Sequence, residues 1–252
     1  MTSQLLSELQ RVADSLRAAT RVVVFTGAGI SAESGIPTFR DAQTGLWARF
    51  RPEDLASRAA FDRDPVTVWE WYRWRRELVD AAQPNAGHRA IAELQQRVTN
   101  TVVITQNVDG LHRAAGAQDV IELHGSIHRA RCPKCAAERS WAPDEGLFPP
   151  LCVCHAMMRP DIVWFGEMLP QALLTPAFEA AESCEVFLSV GTSNLVQPAA
   201  SLPWLAAKRG ALVAVVNTDM DGQPLTENVV HLTGNTGEIL PRLMQLAFPE
   251  ST

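Results

Sequence analysis

The stretch from residue 22 to residue 40, VVVFTGAGISAESGIPTFR, constrains the fold more than any other part of the chain. A β-branched run leads into TGAG at residues 26–29, where two glycines allow a tight turn and let backbone N–H groups approach phosphate oxygens. The two glycines and Ala32 fit the dinucleotide pattern G-x-G-x-x-G/A, but Gly35 and Pro37 would cut short the long helix that normally follows. The stretch predicts a strand that delivers an anion-binding loop, in something other than an ordinary dehydrogenase.

Composition narrows the class of protein. At 252 residues the chain can form one large domain or a domain with a sub-domain, without a disulfide. The formal net charge of −6 argues against direct binding to nucleic acid or to an anionic membrane. Leu5, Leu9, Val12 and Leu16 form one face of an opening helix, which does not resemble a targeting peptide, and no apolar run is long enough for a bilayer. Five cysteines, four of them within 132–154, favour a metal cluster in a reducing compartment, so we expect a cytoplasmic protein.

The order of strands and helices predicts an α/β fold, with a Rossmann-like, mainly parallel sheet and helices on both faces. The predicted strands are residues 22–25, 101–105, 120–123, 162–165, 186–190 and 212–216. The predicted helices are residues 66–82, 88–97, 171–182, 198–209 and 238–247, with loops and short helices over 41–64.

Four of the predicted strands run into polar sequences, namely TGAG, TQNVD, GTSN and NTD. In open α/β sheets, ligands bind outside the carboxyl ends of the strands. Turn-forming residues are common at any strand end, so one such sequence carries little weight. Four together favour a nucleotide site.

Six motifs in this order and spacing closely resemble the sirtuins, the NAD-dependent protein lysine deacylases: GAGISAESGIPTFR, TQNVDGLH, ELHGS, CPKC, RPDIVWFGE and VGTSN. The resemblance runs from about Arg21 to the C-terminal helix, and it is to the bacterial class III, desuccinylase- and demalonylase-like branch. It implies that NAD is consumed: the acyl oxygen of a modified lysine displaces nicotinamide, and the imidate collapses to free lysine and O-acyl-ADP-ribose. The implied partner is acylated lysine in protein substrates, and we expect a monomer.

The resemblance also assigns cofactor-binding residues. The implied NAD contacts are Gly27, Ala28, Gly29, Ile30 and Ser31 at the pyrophosphate, Phe39 and Arg40 at the nicotinamide ribose, Gln106, Asn107 and Asp109 at the ribose and nicotinamide, and Gly191, Thr192, Ser193 and Asn217 at the adenosine half. Asn107 is implied to act in catalysis as well. Residues 38–40 are expected to form a flap over the nicotinamide ribose.

His124 is the implied general base, which accepts a ribose hydroxyl proton. Imidazole suits this role because its unperturbed pKa of about 6.5 allows reversible proton transfer near neutrality. A hydrogen-bonded structural histidine is the alternative, and we favour it for His88 and His231 instead.

Two segments are implied to bind the substrate. Residues Val163, Trp164, Phe165 and Gly166 match the sirtuin strand that pairs with the peptide backbone, although the run alone also fits an ordinary core strand. Tyr72 and Arg75 share one helical face and match the Y-x-x-R pair of the desuccinylase branch. A guanidinium fork and a phenol suit a carboxylate, so an acidic acyl chain is expected; simple packing of an aromatic helix is the alternative.

The cysteines fit a structural zinc site, with one irregularity. Cys132 and Cys135 are spaced as half of a tetrahedral site, whereas Cys152 and Cys154 are one residue closer than the second C-x-x-C of sirtuins. We expect all four to bind zinc; His155 is a substitute ligand to consider, and a metal-free loop is the alternative.

The predicted organisation is a Rossmann-like NAD-binding domain and a small domain. The first comprises residues 1–34, 81–125 and 163–252, and the second comprises a helical module at 35–80 and a zinc module at 126–162. Competing functions are a sirtuin-like mono-ADP-ribosyltransferase, a non-catalytic NAD-sensing module and, last, a dehydrogenase.

Overall fold

A six-stranded sheet forms the centre of the computed structural model, which describes residues 3–37, 51–145, 148–219 and 227–249. The strands found in these ranges are β1 (Arg21–Thr26), β2 (Asn100–Thr105), β3 (Val120–Glu122), β4 (Gly125–Arg131), β5 (Glu138–Ser140), β6 (Arg159–Ile162), β7 (Val186–Val190), β8 (Leu212–Asn217) and β9 (Val229–Thr233). The helices are α1 (Ser3–Ala18), α2 (Gly29–Ala32), α3 (Pro52–Leu55), α4 (Arg58–Arg63), α5 (Pro65–Ala81), α6 (Ala86–Arg97), α7 (Leu111–Ala114), α8 (Gln171–Ser183), α9 (Leu202–Lys208) and α10 (Thr236–Ala247).

The large sheet is parallel throughout and has the order β3-β2-β1-β7-β8-β9. The strand order reverses between β1 and β7, which is the switch point where doubly wound sheets bind dinucleotides. Residues 22–26 of β1 and all of β7 are buried, as expected for central strands covered on both faces. The predicted α/β fold with a mainly parallel sheet is therefore confirmed.

Helices cover both faces of this sheet. On one face α1, α6 and α10 pack with the side chains of Val22, Val24 and Val216 in one apolar cluster. On the other face α8 and α9 pack with Val23 and Phe25. The alternation of β1 side chains between the two clusters follows from the two-residue period of a strand. Among the described residues, no helix combines the length and the apolar character needed to cross a membrane.

A small antiparallel sheet, β5-β4-β6, lies apart from the large one. Its apolar side chains share a second core with α4 and α5, so the helical segment and the cysteine-containing segment pack as one unit. The buried indoles of Trp69 and Trp71 are among the largest side chains in this core. The residue limits predicted for the two domains stay a prediction.

Several elements differ from the sequence-based expectation. The strand predicted at 162–165 is wrong in its limits, because β6 ends at Ile162, where it pairs with Gly125 of β4. The next residues leave the sheet: the Val163 N–H donates to the His124 carbonyl, and the Phe165 N–H donates to the Ala56 carbonyl. Strands β4, β5 and β9 were not predicted; β5 is three residues long and β9 is a half-buried edge strand, so neither gives a strong apolar pattern.

Candidate active site

The glycine loop lies at the switch point of the sheet. It follows β1, and the Gly29 N–H donates to the Gly191 carbonyl, at the end of β7, over 2.8 Å. A Cβ at Gly29 would lie 2.7 Å from this carbonyl oxygen, and one at Gly27 would lie 2.8 Å from Thr192 Cβ. Glycine is therefore required here so that the loops after β1 and β7 can touch.

The helix after this loop is short, as predicted. α2 ends at Ala32, and Gly35 adopts a φ of +82°, which favours glycine. The Glu33 carboxylate accepts hydrogen bonds from Thr236 Oγ1 and the Gly237 N–H at the start of α10, each over 2.8 Å. The loop is thus tied to the helical layer. Phe39, Arg40 and the predicted flap lie outside the described residues.

A buried polar cluster joins the loop to the end of β2. Asn107 Nδ2 donates to the Gly27 carbonyl over 3.0 Å and to Ser31 Oγ over 3.2 Å. Ser31 Oγ in turn donates to the Asp109 carboxylate over 2.7 Å. Burial raises the pKa of Asp109, against the opposing hydrogen bonds from the Leu111 N–H and from Ser31. The structure therefore brings four predicted site residues into one hydrogen-bonded group.

The remaining predicted NAD contacts lie on the other side of the switch point. Gln106 Nε2 donates to Thr192 Oγ1 over 2.8 Å, which links the ends of β2 and β7. Asn217 Nδ2, at the end of β8, donates to the Thr192 carbonyl over 3.2 Å. Ala28 precedes α2 and Ser193 follows Thr192, so both belong to these loops; the Ile30 side chain, by contrast, is buried in the apolar core.

His124 follows β3 and is fixed by two hydrogen bonds. Its Nδ1 lies 2.9 Å from the Gln106 carbonyl oxygen, which can only accept, so Nδ1 carries the proton and Nε2 presents a lone pair. Its own carbonyl accepts from Val163 N–H over 3.0 Å. Burial lowers the pKa of His124, partly offset by the bond to Gln106. The ring is therefore neutral at pH 7 and can act as a base through Nε2.

Helix α5 carries the Tyr72 and Arg75 pair. The helix begins cleanly because Pro65 occupies its first turn and the Asp64 side chain accepts from the Thr67 N–H over 3.1 Å. The Tyr72 hydroxyl is buried, and burial raises the pKa of Tyr72 to about 12. Burial lowers the pKa of Arg75, while the nearby Tyr72 and Asp109 raise it. The Arg75 guanidinium also lies 5.0 Å from the centroid of the Trp71 ring on the same helix.

Residues 163–166 run between His124 and the small-domain helices. The Phe165 N–H donates to the Ala56 carbonyl over 3.0 Å, and Gly166 has a φ of +83°. The Phe165 ring is 48% exposed, whereas Trp164 is buried at 2%. An exposed aromatic side chain thus lies two residues after Val163, whose N–H donates to the His124 carbonyl.

The four predicted metal ligands come together. The Sγ atoms of Cys132, Cys135, Cys152 and Cys154 all lie within 4.8 Å of one another, and two pairs are 3.5 Å apart. Tetrahedral zinc with bonds of about 2.3 Å places its sulfurs about 3.8 Å apart, so the thiols fit this ion.

The short Cys152–Cys154 spacing is accommodated by the turn that follows it. His155 adopts a φ of 64°, as Ala136 does with 59° directly after Cys135. The two halves thus end in the same left-handed turn, and His155 is not among the clustered ligands. Cys184 lies outside the cluster, in the apolar core that α8 and α9 form with the large sheet.

Two buried polar groups near the site do not follow from the sequence patterns. Arg159 stacks on Trp164 and pairs with Glu167, and a second group joins His88 to His112 beneath the loop. Arg159 and Glu167 are part of the RPDIVWFGE motif, which was the available signal for the first group.

This chain is similar to a known family and to known proteins. The Sir2 family model matches residues 27–198. NAD-dependent protein deacylase 1 from Pseudomonas aeruginosa is 52% identical over 253 residues, covering 96% of this chain and 100% of that protein.

This chain is also similar to solved structures of Sir2 proteins. A Sir2 homologue in complex with NAD superimposes with a TM-score of 0.88 at 42% identity, covering 94% of this chain and 93% of that one. Sir2Af2 bound to a myristoylated histone peptide gives a TM-score of 0.76 at 37% identity, covering 96% of this chain and 97% of that one.

Proposed function

Because the chain belongs to the Sir2 family, we propose that it is an NAD-dependent protein lysine deacylase that releases nicotinamide and O-acyl-ADP-ribose. The observation that carries this proposal is the bonding of Asn107 to Gly27 and of Asp109 to Ser31 at the switch point, with His124 bonded to the neighbouring Gln106 carbonyl. When bound, NAD supplies the ribose that receives the acyl group as nicotinamide leaves.

Different residues of the site bind NAD and transfer the proton. The glycine loop and Thr192 hold the dinucleotide at the carboxyl ends of β1 and β7. Asn107 and Asp109 line the nicotinamide end. His124 Nε2 takes a proton from a ribose hydroxyl, because Nδ1 is committed to the Gln106 carbonyl.

The acylated lysine enters along residues 163–166. Since the N–H groups of Val163 and Phe165 already donate within the protein, a bound peptide pairs with other backbone groups of this segment. The zinc site stabilises the small domain and takes no part in the chemistry.

The acyl specificity we propose is for succinyl and malonyl groups as well as acetyl. Arg75 supplies a fork of donors for the terminal carboxylate, and Tyr72, whose hydroxyl stays protonated, adds another donor. Asp109 opposes the lowering of the Arg75 pKa by burial, which supports an acyl pocket adjoining the nicotinamide end of the NAD site.

The test is Arg75→Met, assayed with succinyl- and acetyl-lysine peptides. We expect kcat/KM for the succinyl peptide to fall about 10- to 150-fold, because a charge-assisted hydrogen bond is lost, and the acetyl value to change little. The matched control is Arg73→Met on the same helix, whose guanidinium lies over the Phe148 ring instead. If Arg75→Met leaves the succinyl-to-acetyl ratio at the wild-type value, the proposed specificity is wrong.

A further inference from the structure

A chain of contacts connects Tyr72 through Trp164 to Arg159 and Glu167. We propose that Arg159 and Glu167 are positioning residues for acyl recognition, because they fix the Trp164 indole that aims the Tyr72 hydroxyl. This inference rests on the acyl site proposed above.

A hydrogen bond joins Trp164 to Tyr72. Trp164 Nε1 donates to the Tyr72 hydroxyl oxygen over 3.0 Å. An indole N–H is a donor only, so the phenol oxygen is the acceptor and its proton is donated in another direction. A carboxylate only accepts hydrogen bonds. The indole therefore keeps Tyr72 in the orientation of a donor, as an acidic acyl chain requires.

Packing against Arg159 and Phe61 holds the Trp164 indole in place. The Arg159 guanidinium lies 3.4 Å from the centroid of the Trp164 ring, and Phe61 packs against the indole at 5.3 Å. Arg159 is only 3% exposed, so this cation–π contact is shielded from water. Both residues restrict rotation of the indole about its side-chain bonds.

The Glu167 carboxylate anchors both Arg159 and the backbone of Trp164. Glu167 accepts from Arg159 through both of its oxygens, with Nη2–Oε2 at 2.9 Å, and Oε2 also accepts from the Trp164 N–H over 2.9 Å. Arg159 Nη2 donates to the Ile162 carbonyl over 2.9 Å as well. One carboxylate thus fixes the guanidinium above the ring and the backbone beneath it.

A flat, bidentate cation is needed for this arrangement. Lysine keeps the charge but neither stacks on an indole nor forms two parallel bonds to one carboxylate. Arg159→Lys and Glu167→Gln therefore loosen the indole while keeping side-chain size close to that of the wild type.

The chain offers a direct probe, because Tyr72 is its only tyrosine. In full-length protein labelled with ¹³C at tyrosine Cζ, one NMR resonance reports the hydrogen bonding of this hydroxyl. We expect Arg159→Lys, Glu167→Gln and Trp164→Phe to shift or broaden it in the same way. The control, Arg129→Lys, alters an arginine that pairs with Glu122 and Asp161 in the same part of the molecule, and should leave it unchanged.

Kinetics then test the effect on recognition. For Arg159→Lys we expect KM for a succinyl peptide to rise about 5- to 10-fold with kcat retained, and KM for an acetyl peptide to change less than twofold. Combining Arg159→Lys with Trp164→Phe should add little, since both act through one hydrogen bond. An unchanged Tyr72 resonance, or equal changes in KM for both peptides, would overturn the inference.

The two proposals fail separately. If Arg75→Met has no effect on the succinyl-to-acetyl ratio, the proposed acyl specificity fails. The resonance of Tyr72 still decides, in that case, whether Arg159 and Glu167 position its hydroxyl.

Discussion

At the scale of single residues, the bond from His124 to the Gln106 carbonyl decides which ring nitrogen can act as a base. A carbonyl oxygen cannot donate, so the proton lies on Nδ1. The lowered pKa of His124, caused mainly by burial, keeps Nε2 free of a proton at neutral pH. Two local facts thus prepare this side chain for proton transfer before any substrate arrives.

Replacing His124 with alanine should remove deacylation while the fold persists. General base catalysis is typically worth about 10² to 10⁴ in rate, so we expect a loss of kcat of at least this size, measured as nicotinamide release. The control is His231→Ala on β9, which should retain activity. Near-normal turnover of His124→Ala, with an unchanged thermal midpoint, would rule out the assignment.

At the scale of elements, the cysteine turns connect the metal site to the small-domain core. Cys132 and Cys152 are buried in the same cluster as Trp69 and Trp141. A metal that holds these turns therefore also holds one wall of that core, which α5 shares. The spacing of Cys152 and Cys154 alone left this site in doubt, because sequence spacing does not show how the following turn is bent.

We expect wild-type protein to contain one zinc per chain by elemental analysis. Cys135→Ser should lower the zinc content and reduce the thermal midpoint by about 10 °C, since the metal contributes folding free energy. Cys184→Ala is the control, because this cysteine lies outside the cluster, and should keep its zinc. Well under one zinc in the wild-type chain would contradict the account.

Two buried histidines lie between α6, α7 and β1. The His88 and His112 rings are 4.9 Å apart, and His112 Nε2 lies 2.8 Å from Thr26 Oγ1. Within the part of the chain that the structure describes, His88 Nε2 and His112 Nδ1 have no hydrogen-bond partner. Burial is the main cause that lowers the pKa of His88 to about 4 and that of His112 to about 3.

This pair predicts a loss of stability in mild acid. In the unfolded chain both rings bind protons near pH 6.5, whereas in the folded protein they stay neutral, so stability is full above pH 6.5 and falls below it. Between pH 7.5 and 5.5 the two rings together should lower the free energy of unfolding by about 3 kcal/mol, measured by urea denaturation.

A single substitution isolates the effect. His112→Gln should reduce that pH dependence by about half of the contribution of the pair. Identical pH dependence in wild type and His112→Gln would show that the buried ring does not resist protonation.

At the scale of the whole molecule, the sequence predicts best those features that depend only on residues close together in the chain. The glycine loop, the early end of α2 at Ala32 and the polar ends of β1, β2, β7 and β8 followed from local residues. The order of the strands placed these ends together, as the switch-point rule predicts.

Other features depend on contacts between distant segments and could not be predicted from spacing. The end of β6 at Ile162 is set by pairing with Gly125, and the helical and cysteine segments share a core only because α5 packs on β4 and β6. The contact of Arg159 with Trp164 needs the turn at residues 163–167, which a motif does not reveal.

We propose that this protein cleaves NAD and transfers an acyl group to its ribose. The most direct measurement is mass spectrometry of all products after incubation with NAD and an acetyl- or succinyl-lysine peptide. We expect equal amounts of nicotinamide, deacylated peptide and O-acyl-ADP-ribose. Nicotinamide release with ADP-ribose attached to protein or peptide, or formation of NADH, would contradict it.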